Sequence, residues 1–442
     1  MSGFDCVVIG SGPAAIAALD AFDTPLRIAV IDGAVPARVR NSQLHAKIRA
    51  VASSAGKVPG VAELLPPATG NKPLFSSAAV GGFANYWGQQ FLPIHANGPW
   101  PRDLFANYTD FLAECAAIDV LFRIEGGQTI ENSAAKSAGF DLFTPRLLAG
   151  AAGSTSALDA MKHVFRKIAE IKNVKTLTAR AISFRKADGG WAVLLDSGDE
   201  VSAARIVLTA GVVGNAQILL RSYSDLGTAR FCDHTPWMIY TLGLSLPALL
   251  QNNHFNAATL EKTIDGRGAV YASVYDMRHD DLNLLAASTI GVTAGRFGRL
   301  HPPGIAKYLK PVQVWTQDTS GKVDLRRRDA AIYFTSSPST ARGDDDAGLK
   351  QTIEVLKGLG AKVLHVSQTA AGYGFHYHAL EFQIAGRTAA GNAFTSTADL
   401  LRQRTAGGVT CVDASVLPAI GSRPPTLTAM AAARQMAKRL IR

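Results

Sequence analysis

Hydrophobic positions along the chain follow two rhythms, and the change from one to the other divides it. Near the start, the apolar run Cys6 to Ile9 meets Gly10-Ser11-Gly12-Pro13-Ala14-Ala15, and the alanine-rich Ile16 to Leu19 beyond it reads as a helix. A continuous apolar run stopped by glycine is the pattern of a buried strand, so this stretch predicts strand, tight turn and helix start. A second run, Arg27 to Ile31, ends in Asp32. Residues 33–75 carry Pro, Gly and Ser with weak periodicity and read as a long surface excursion. Helical spacing returns in Pro101 to Ile118, where Leu104, Tyr108, Phe111, Leu112 and Cys115 share a face, and in Ser156 to Ile171. Then come Val174 to Phe184, a Gly189-Gly190 turn, Trp191 to Leu195, an Asp-Ser-Gly turn and Val201 to Thr209. This meander stops at Ala210-Gly211, with a helix expected near Asn215.

From Tyr223 onward the rhythm changes. Trp237 to Leu244, Ala269 to Tyr275, Leu284 to Val292, Val312 to Thr316 and Ala331 to Thr335 are alternating or aromatic segments with turns between them, which predicts an antiparallel sheet. Asp344-Asp345-Asp346 opens a helix whose Leu349, Ile353, Leu356 and Leu359 share a face, so the acidic triplet is helix-start chemistry rather than a metal site. Val409 to Asp413 reads as a strand of the first region, and Pro424-Pro425 precedes a last helix, Thr426 to Ile441. The pattern predicts an α/β fold: a Rossmann-like domain over 1–224, completed by 386–442, and a second α+β substrate domain over 225–385 built on an antiparallel sheet.

Composition narrows the partners more than the fold. With 442 residues and 47% apolar side chains, the chain can bury extended cores. Its formal charge of +10 is dispersed; only Arg326-Arg327-Arg328 is a run, and no aromatic-interleaved basic repeat accompanies it, so no nucleic-acid partner is expected. Met238 to Leu250 is too short and too interrupted to span a bilayer, and the glycine motif begins so early that no leader is expected ahead of it. The expected location is the cytoplasm. Cys6, Cys115, Cys232 and Cys411 lack metal-ligand spacing and read as reduced core thiols.

The glycine turn carries the first chemistry. Gly10 permits the turn, Gly12 lets the backbone approach a pyrophosphate, and the small Ala15 keeps helix and strand close, with Ser11, Pro13 and Ala14 in the same cradle. Phosphates would sit on the helix N-terminus, and Asp32 is placed to accept from a ribose hydroxyl. Ala210-Gly211 brings a second glycine turn to the same edge. Only one dinucleotide fingerprint is present, which favours a tightly held FAD over a separate nicotinamide module. The cluster Gly81-Gly82-Phe83-Ala84-Asn85-Tyr86-Trp87-Gly88 reads either as backbone passing a flavin ring, with Asn85, Tyr86 and Trp87 in contact, or as an ordinary turn with a buried Trp. In Gly374-Phe375-His376-Tyr377-His378, an extended backbone would put both histidines on one face. Either is suited to remove a proton near pH 7 or to be a satisfied structural histidine; zinc would need ligands the neighbourhood lacks.

Together, GSGPAA with Asp32, GGFANYWG, WPRDLFANYTDFL, TAGVVGNAQILL, Asp233-His234, FHYHALEFQIAG and CVDASVLPAIGSRPPTLTAMAAARQMA give the chain a resemblance to the glucose-methanol-choline oxidoreductases. It runs from end to end, has the texture of the family's short bacterial, pyranose-oxidase-like members, and is most specific in the last segment. The resemblance implies an FAD-dependent enzyme oxidising a sugar or polyol hydroxyl to a carbonyl. His378, eight residues before Gly386, matches the family's base, which removes the hydroxyl proton as hydride passes to flavin N5. By the same resemblance, Gly82 to Gly88 pass beside the isoalloxazine, Ile182 contacts adenine through its backbone, and Asp413-Ala414 approach the pyrophosphate. The helix that follows Pro425, from Thr426, aims its N-terminus at the flavin C2 carbonyl.

The chain also departs from the family. Its second active-site residue, His or Asn, falls eleven positions after the strand's aspartate, where this chain has Pro424. A proline donates no hydrogen bond, so Arg423 or His376 would have to replace it. Glu381 and Phe382 stand where glycine and threonine usually follow the histidine. Tyr86 stands where some relatives attach FAD through a histidine, so a non-covalent flavin is expected. A chain short for the family implies trimmed loops and a more open site, suited to a bulky or carrier-linked substrate; the expected partner is a small-molecule or carrier-linked alcohol, with the electron acceptor left open. The alternatives are non-oxidative or reductive flavin chemistry, such as elimination or isomerisation, and a non-catalytic flavin-fold binding protein. The intact turn and Asp32 argue against the last.

Overall fold

The computed structural model describes residues 3–23, 25–33, 74, 76, 81–85, 90–148, 157–246, 256–275, 309–316, 320–329, 331–336, 346–369, 371–372, 376–384 and 394–440. At its centre, Lys175–Thr178, Ile28–Asp32, Phe4–Ile9 and Glu200–Leu208 lie side by side and parallel, with Val8 opposite both Val30 and Val207. Glu200–Leu208 shares its far edge between two neighbours. Its first half pairs antiparallel with Gly190–Leu195, which continues to Ala181–Ala187, and its last half pairs parallel with Val409–Cys411. The apolar runs are continuous because both faces are covered: helices Pro13–Ala21, Tyr108–Phe122 and Thr426–Leu440 pack on one, Gly211–Ser222 on the other. Val7, Val8, Val30 and Val207 are completely buried, each worth about 1.5–3 kcal/mol by removal from water.

Three boundaries differ from the sequence reading. Val174 to Phe184 is two strands, because Asp196 clamps the chain between them: Arg180 N–H donates to its carboxylate at 3.1 Å, and Asp196 N–H to Arg180 O at 2.9 Å. The helix expected from Pro101 begins at Tyr108, where Asn107 caps it by accepting Asp110 N–H at 2.9 Å. The helix expected near Asn215 begins at Gly211, while the last helix opens at Thr426 as read, the Pro425 carbonyl taking the Ala429 N–H at 2.8 Å.

Arg434 ties the last helix to the first by reaching Asp20, and to the helix Tyr108–Phe122 through Glu114 at 2.9 Å, where Lys438 also binds. The last helix ends beside Arg205, whose guanidinium donates to Leu440 O, at the level where Cys6 pairs with Arg205 and Ile28, and the first helix ends in the connection that leads to Ile28, so the two helices run the same way. Their N-termini therefore open on one edge of the sheet.

The antiparallel part forms two sheets. One has the order Ala331–Ser336, Ser320–Arg328, Leu226–His234, Tyr377–Ile384, Thr395–Ser396, and its Phe231, Val323, Leu325 and Phe382 join the core of the parallel sheet. The other has the order Lys362–Gln368, Trp237–Leu242, Leu309–Thr316, Arg267–Tyr275, Asn256–Ile264, Asp141–Phe143, Thr129–Ile130. The chain passes between them at Thr235-Pro236, a natural corner because proline has no N–H for a ladder. Helix Ala347–Gly358 covers the second sheet, its Asp346 cap accepting Leu349 N–H, Trp237 Nε1–H and Thr316 Oγ1–H at 2.8–2.9 Å. Leu284 to Val292 and the acids Asp344 and Asp345 lie outside the described residues.

Candidate active site

The glycine turn separates two demands. Gly10 has φ +108°, and a Cβ there would stand 2.5 Å from Thr209 O, so the fold itself requires glycine. Gly12 has an ordinary φ of −69°, and a Cβ would meet nothing nearer than Gly81 O at 3.8 Å. Among the described residues, no contact within the chain requires its smallness. Pro13 opens the helix, and the buried Ala14 and Ala15 keep it on the sheet. Ser11 Oγ accepts Gly81 N–H at 2.9 Å, joining this turn to the second glycine cluster.

Asp32 is the distinctive group here. One of its carboxyl oxygens, Oδ2, is buried and has no hydrogen-bond partner among the described residues. Burial pushes its pKa up to about 7, although the N–H groups of Gly33 and Gly81 oppose this. A donor-starved carboxyl oxygen at the tip of the second strand fits a ribose hydroxyl, so the residues present fit a dinucleotide.

The second glycine turn is closed by its own side chains. Asp413 Oδ2 accepts Gly211 N–H and Asn215 Nδ2–H, each at 2.8 Å, and Oδ1 accepts Ser415 N–H at 2.9 Å. Asn215 Oδ1 receives Ala210 N–H at 3.2 Å. Asp413 thus shapes the turn from within; Ala414 begins the short turn Ala414–Val416, against which strand Tyr377–Ile384 packs. Ile182 is the extra residue where the ladder of Ala181 and Ser183 with Leu195 and Leu194 slips, which frees its backbone from regular pairing. Gly82 to Asn85 form a 3-10 turn, while Tyr86, Trp87 and Gly88 lie outside the described residues. Thr426 opens the last helix beside the buried Pro425.

From the glycine cluster, contacts lead to the histidines. Phe83 meets Tyr377 edge-on, ring centres 5.4 Å apart, and Tyr377 opens the strand that carries His378. That strand bulges: Ala379 has φ +52° and is extra between the pairs His378 with Cys232 and Glu381 with Arg230. An alanine held left-handed costs about 1–2 kcal/mol, and such bulges re-aim the side chains beside them.

Three imidazoles gather at this end of the sheet. His378 Nδ1 lies 2.9 Å from His376 O; a carbonyl only accepts, so Nδ1 carries the proton and Nε2 keeps its lone pair. His234 Nε2 similarly donates to Thr316 O at 2.8 Å, leaving Nδ1 a buried acceptor with no partner. His376 stacks on Trp315 at 5.2 Å and 11°, its ring centre 6.0 Å from that of His234, and its Nδ1 is also buried and unpartnered. Asp233 fixes the backbone beneath them, accepting Gly372 N–H at 2.8 Å and His376 N–H at 3.2 Å.

Burial is the main cause that lowers all three pKa values below 6.5. His234 falls to about 4, and His376 falls well below its usual value with the other two rings adding to the effect. His378 is lowered as well, opposed by the His376 carbonyl. All are neutral acceptors at pH 7.

Arg423, one of the two side chains expected to stand in at Pro424, is already engaged. It grips Glu261 with Nε and Nη2 at 2.6 Å and donates to Pro93 O at 2.5 Å. His376 is the side chain that the fold brings to His378. The sequence reading assigned no role to His234 or Trp315; the only local signals were Asp233-His234 at a strand end and one aromatic in an alternating run. Among the described residues no three His, Cys, Asp or Glu side chains form a metal-holding group, and no helix is long and apolar enough to cross a membrane.

No protein-family model matches the chain, and no curated protein matches it. Among solved structures, that of pyridoxine 4-oxidase from Mesorbium loti is similar over 98% of this chain and 98% of its own, with a TM-score of 0.62 and 14% sequence identity. The likeness establishes a shared α/β fold along the whole chain.

Proposed function

We propose that the protein is an FAD-dependent oxidoreductase that oxidises an alcohol to a carbonyl, with a non-covalent flavin held by Gly10 to Ala15 and Asp32 and with His378 as base. The observation that carries this reading is the tautomer of His378: its proton is fixed on Nδ1 by the His376 carbonyl, which leaves Nε2 as a neutral acceptor. The fold likeness to an oxidase named for an alcohol, pyridoxine, supports it, as does the resemblance to the glucose-methanol-choline oxidoreductases. We divide the chain as 1–224 with 386–442 for the cofactor and 225–385 for the substrate, with Thr129–Ile130 and Asp141–Phe143 lending edge strands to the second part.

When bound, FAD supplies the hydride acceptor for the carbinol carbon. The chain's own residues do the rest. Asp32 accepts from the ribose, Gly12 admits the pyrophosphate, and the helices from Pro13 and Thr426 present N-termini that favour negative charge. His378 Nε2 takes the hydroxyl proton, while the His376 carbonyl on Nδ1–H stabilises the charge that develops on the ring. His376 and His234, neutral at the same pH, orient the hydroxyl without competing for a charge. Because burial makes a protonated His378 acidic, the ring returns its proton readily after each turnover.

The test is an absorbance spectrum of the purified protein followed by anaerobic titration with sugars, polyols, pyridoxine and apolar alcohols. One of them should bleach a bound flavin, and His378→Ala should keep the flavin and lose the bleaching by at least about a hundredfold in rate. A yellow protein that no alcohol bleaches would exclude alcohol oxidation. A colourless one that takes up no added FAD would exclude the cofactor.

A further inference from the structure

The hairpin of Asn256–Ile264 and Arg267–Tyr275 belongs to the seven-stranded sheet, yet side chains from two segments outside that sheet tie it down. From the first segment, Gln90 Nε2 donates to Ser273 Oγ at 2.6 Å, Asn97 Nδ2 donates to Asp265 O at 2.9 Å, and His95 Nε2 lies 2.8 Å from Glu261 Oε1. From the second, just ahead of the last helix, Ser422 Oγ donates to Gly268 O at 3.0 Å and Arg423 forks onto both oxygens of Glu261. The approach is close: a Cβ on Gly268 would stand 2.7 Å from Ser422 Oγ and 2.8 Å from His95 Cδ2.

Most of these bonds would serve any joint, but the pair of Arg423 and Glu261 also carries charge. Arg423 is the residue before Pro424 and lies three positions ahead of Thr426, where the last helix opens. A helix start already presents the equivalent of about half a positive charge, and an unopposed guanidinium would add a whole one. Glu261 opposes it. Burial works against a charge on this carboxyl, but the bonds from Arg423 and His95 outweigh it and hold its pKa below the usual carboxylate range. With both side chains buried, water and salt screen the pair little. Glu261 also lies across the ladder from Tyr271, whose ring meets Trp315, on which His376 stacks. One carboxylate therefore joins the loop carrying Pro424 to the sheet that backs the histidines.

We infer that Glu261 is a positioning residue of the redox site: it holds the loop of Pro424 on the second sheet and cancels the charge of Arg423, which keeps a bound flavin less avid for electrons than Arg423 alone would make it. The inference rests on the flavin proposed above. It concerns a charge balance, so its signature is a sign as well as a size.

The reduction potential of the bound flavin, measured by equilibration with reference dyes, tests it. Glu261→Gln keeps the oxygen that Arg423 and His95 share and removes the charge; it should favour the reduced flavin about tenfold, equivalent to about 30 mV for two electrons. Arg423→Met leaves the carboxylate unopposed and should shift the potential the other way. The double variant leaves neither charge behind and should return to within about threefold of the parent, as should Arg423→Lys, which keeps the charge and gives up the fork. A joint that only holds the loop would move both single variants in the same direction and the double variant furthest, and that result would overturn the inference, as would single variants with the potential of the parent. If a lone buried charge prevents either single variant from folding, the double variant and Arg423→Lys decide, since a shift of about tenfold in either would overturn the inference. A parent protein that takes up no FAD would remove the functional reading and this inference with it, whereas flavin bound at one potential in every variant would remove this inference alone.

Discussion

Two aspartates end or follow parallel strands of the same sheet on opposite terms. Asp413 receives donors on both oxygens, from Gly211, Asn215 and Ser415. Asp32 keeps one buried oxygen with none. The glycines repeat the contrast, since Gly10 is pressed against Thr209 while a Cβ at Gly12 would meet only Gly81 O, at 3.8 Å, among the described residues. A strand, glycine and helix in succession is thus used twice with different outcomes. Where neighbouring side chains fill the turn it is a joint, and where they leave it unfilled there is room for the cofactor we propose.

The most destructive way to probe this contrast is Asp413→Ala, which strips the partners from Gly211, Asn215 and Ser415 together. We expect a loss of about 3–5 kcal/mol in chemical denaturation. A loss below about 1 kcal/mol would mean that the second turn is no joint. Gly10→Ala should cost about 2–4 kcal/mol, from the left-handed φ and the overlap with Thr209 O. Gly12→Ala should leave the melting curve within about 0.5 kcal/mol of the parent and weaken FAD about tenfold, read by titrating the cofactor back into stripped protein. Asp32→Asn should behave likewise, weakening FAD with no loss of stability. If it unfolds the protein as Asp413→Ala does, the two turns are not different in kind.

The smallest effects are in pH, and they carry opposite signs. Asp32 is raised from 3.8 to about 7, so in cofactor-free protein its stabilising contribution is full below 3.8 and is lost as pH rises through about 7. Asp32→Asn should flatten that decline. The histidines are lowered from 6.5, so theirs is full above 6.5 and is lost as pH falls toward about 4, where His234 takes a proton. Melting temperatures between pH 4 and 8 would show both limbs. Flavin reduction by substrate should hold its rate down to pH 6.5 and decline only below it, since His378 titrates lower than a free imidazole.

The fold was legible where demands are local. Cys6 to Gly12 and Val201 to Gly211 could be read because burial on two faces requires unbroken apolar runs, and a φ of +108° or +72° at their ends favours glycine. The helix Thr397–Thr405 went unread because its sequence is mostly polar; Ser396 caps it, and only Leu400 and Leu401 face inward among its apolar residues. The strands Leu226–His234, Asn256–Ile264 and Ser320–Arg328 carry charged residues at positions of both parities, Arg230 and Asp233, Glu261 and Lys262, Arg326 and Arg327, which breaks the alternation of apolar and polar positions.

By itself, the sequence determined the parallel core with its glycine turn, the last helix and the histidines as the place to look for a base, because periodicity, glycine and residue chemistry act within a few positions. Only the tertiary structure decided which aspartate is satisfied and which is left open, since both donors to Asp413 Oδ2 come from a helix some two hundred residues earlier in the chain. It likewise decided which nitrogen of His378 bears the proton, and that His234 and Trp315 stand beside His376. Those outcomes depend on what lies across a sheet or at the far end of a hydrogen bond, and no spacing along the chain encodes that distance.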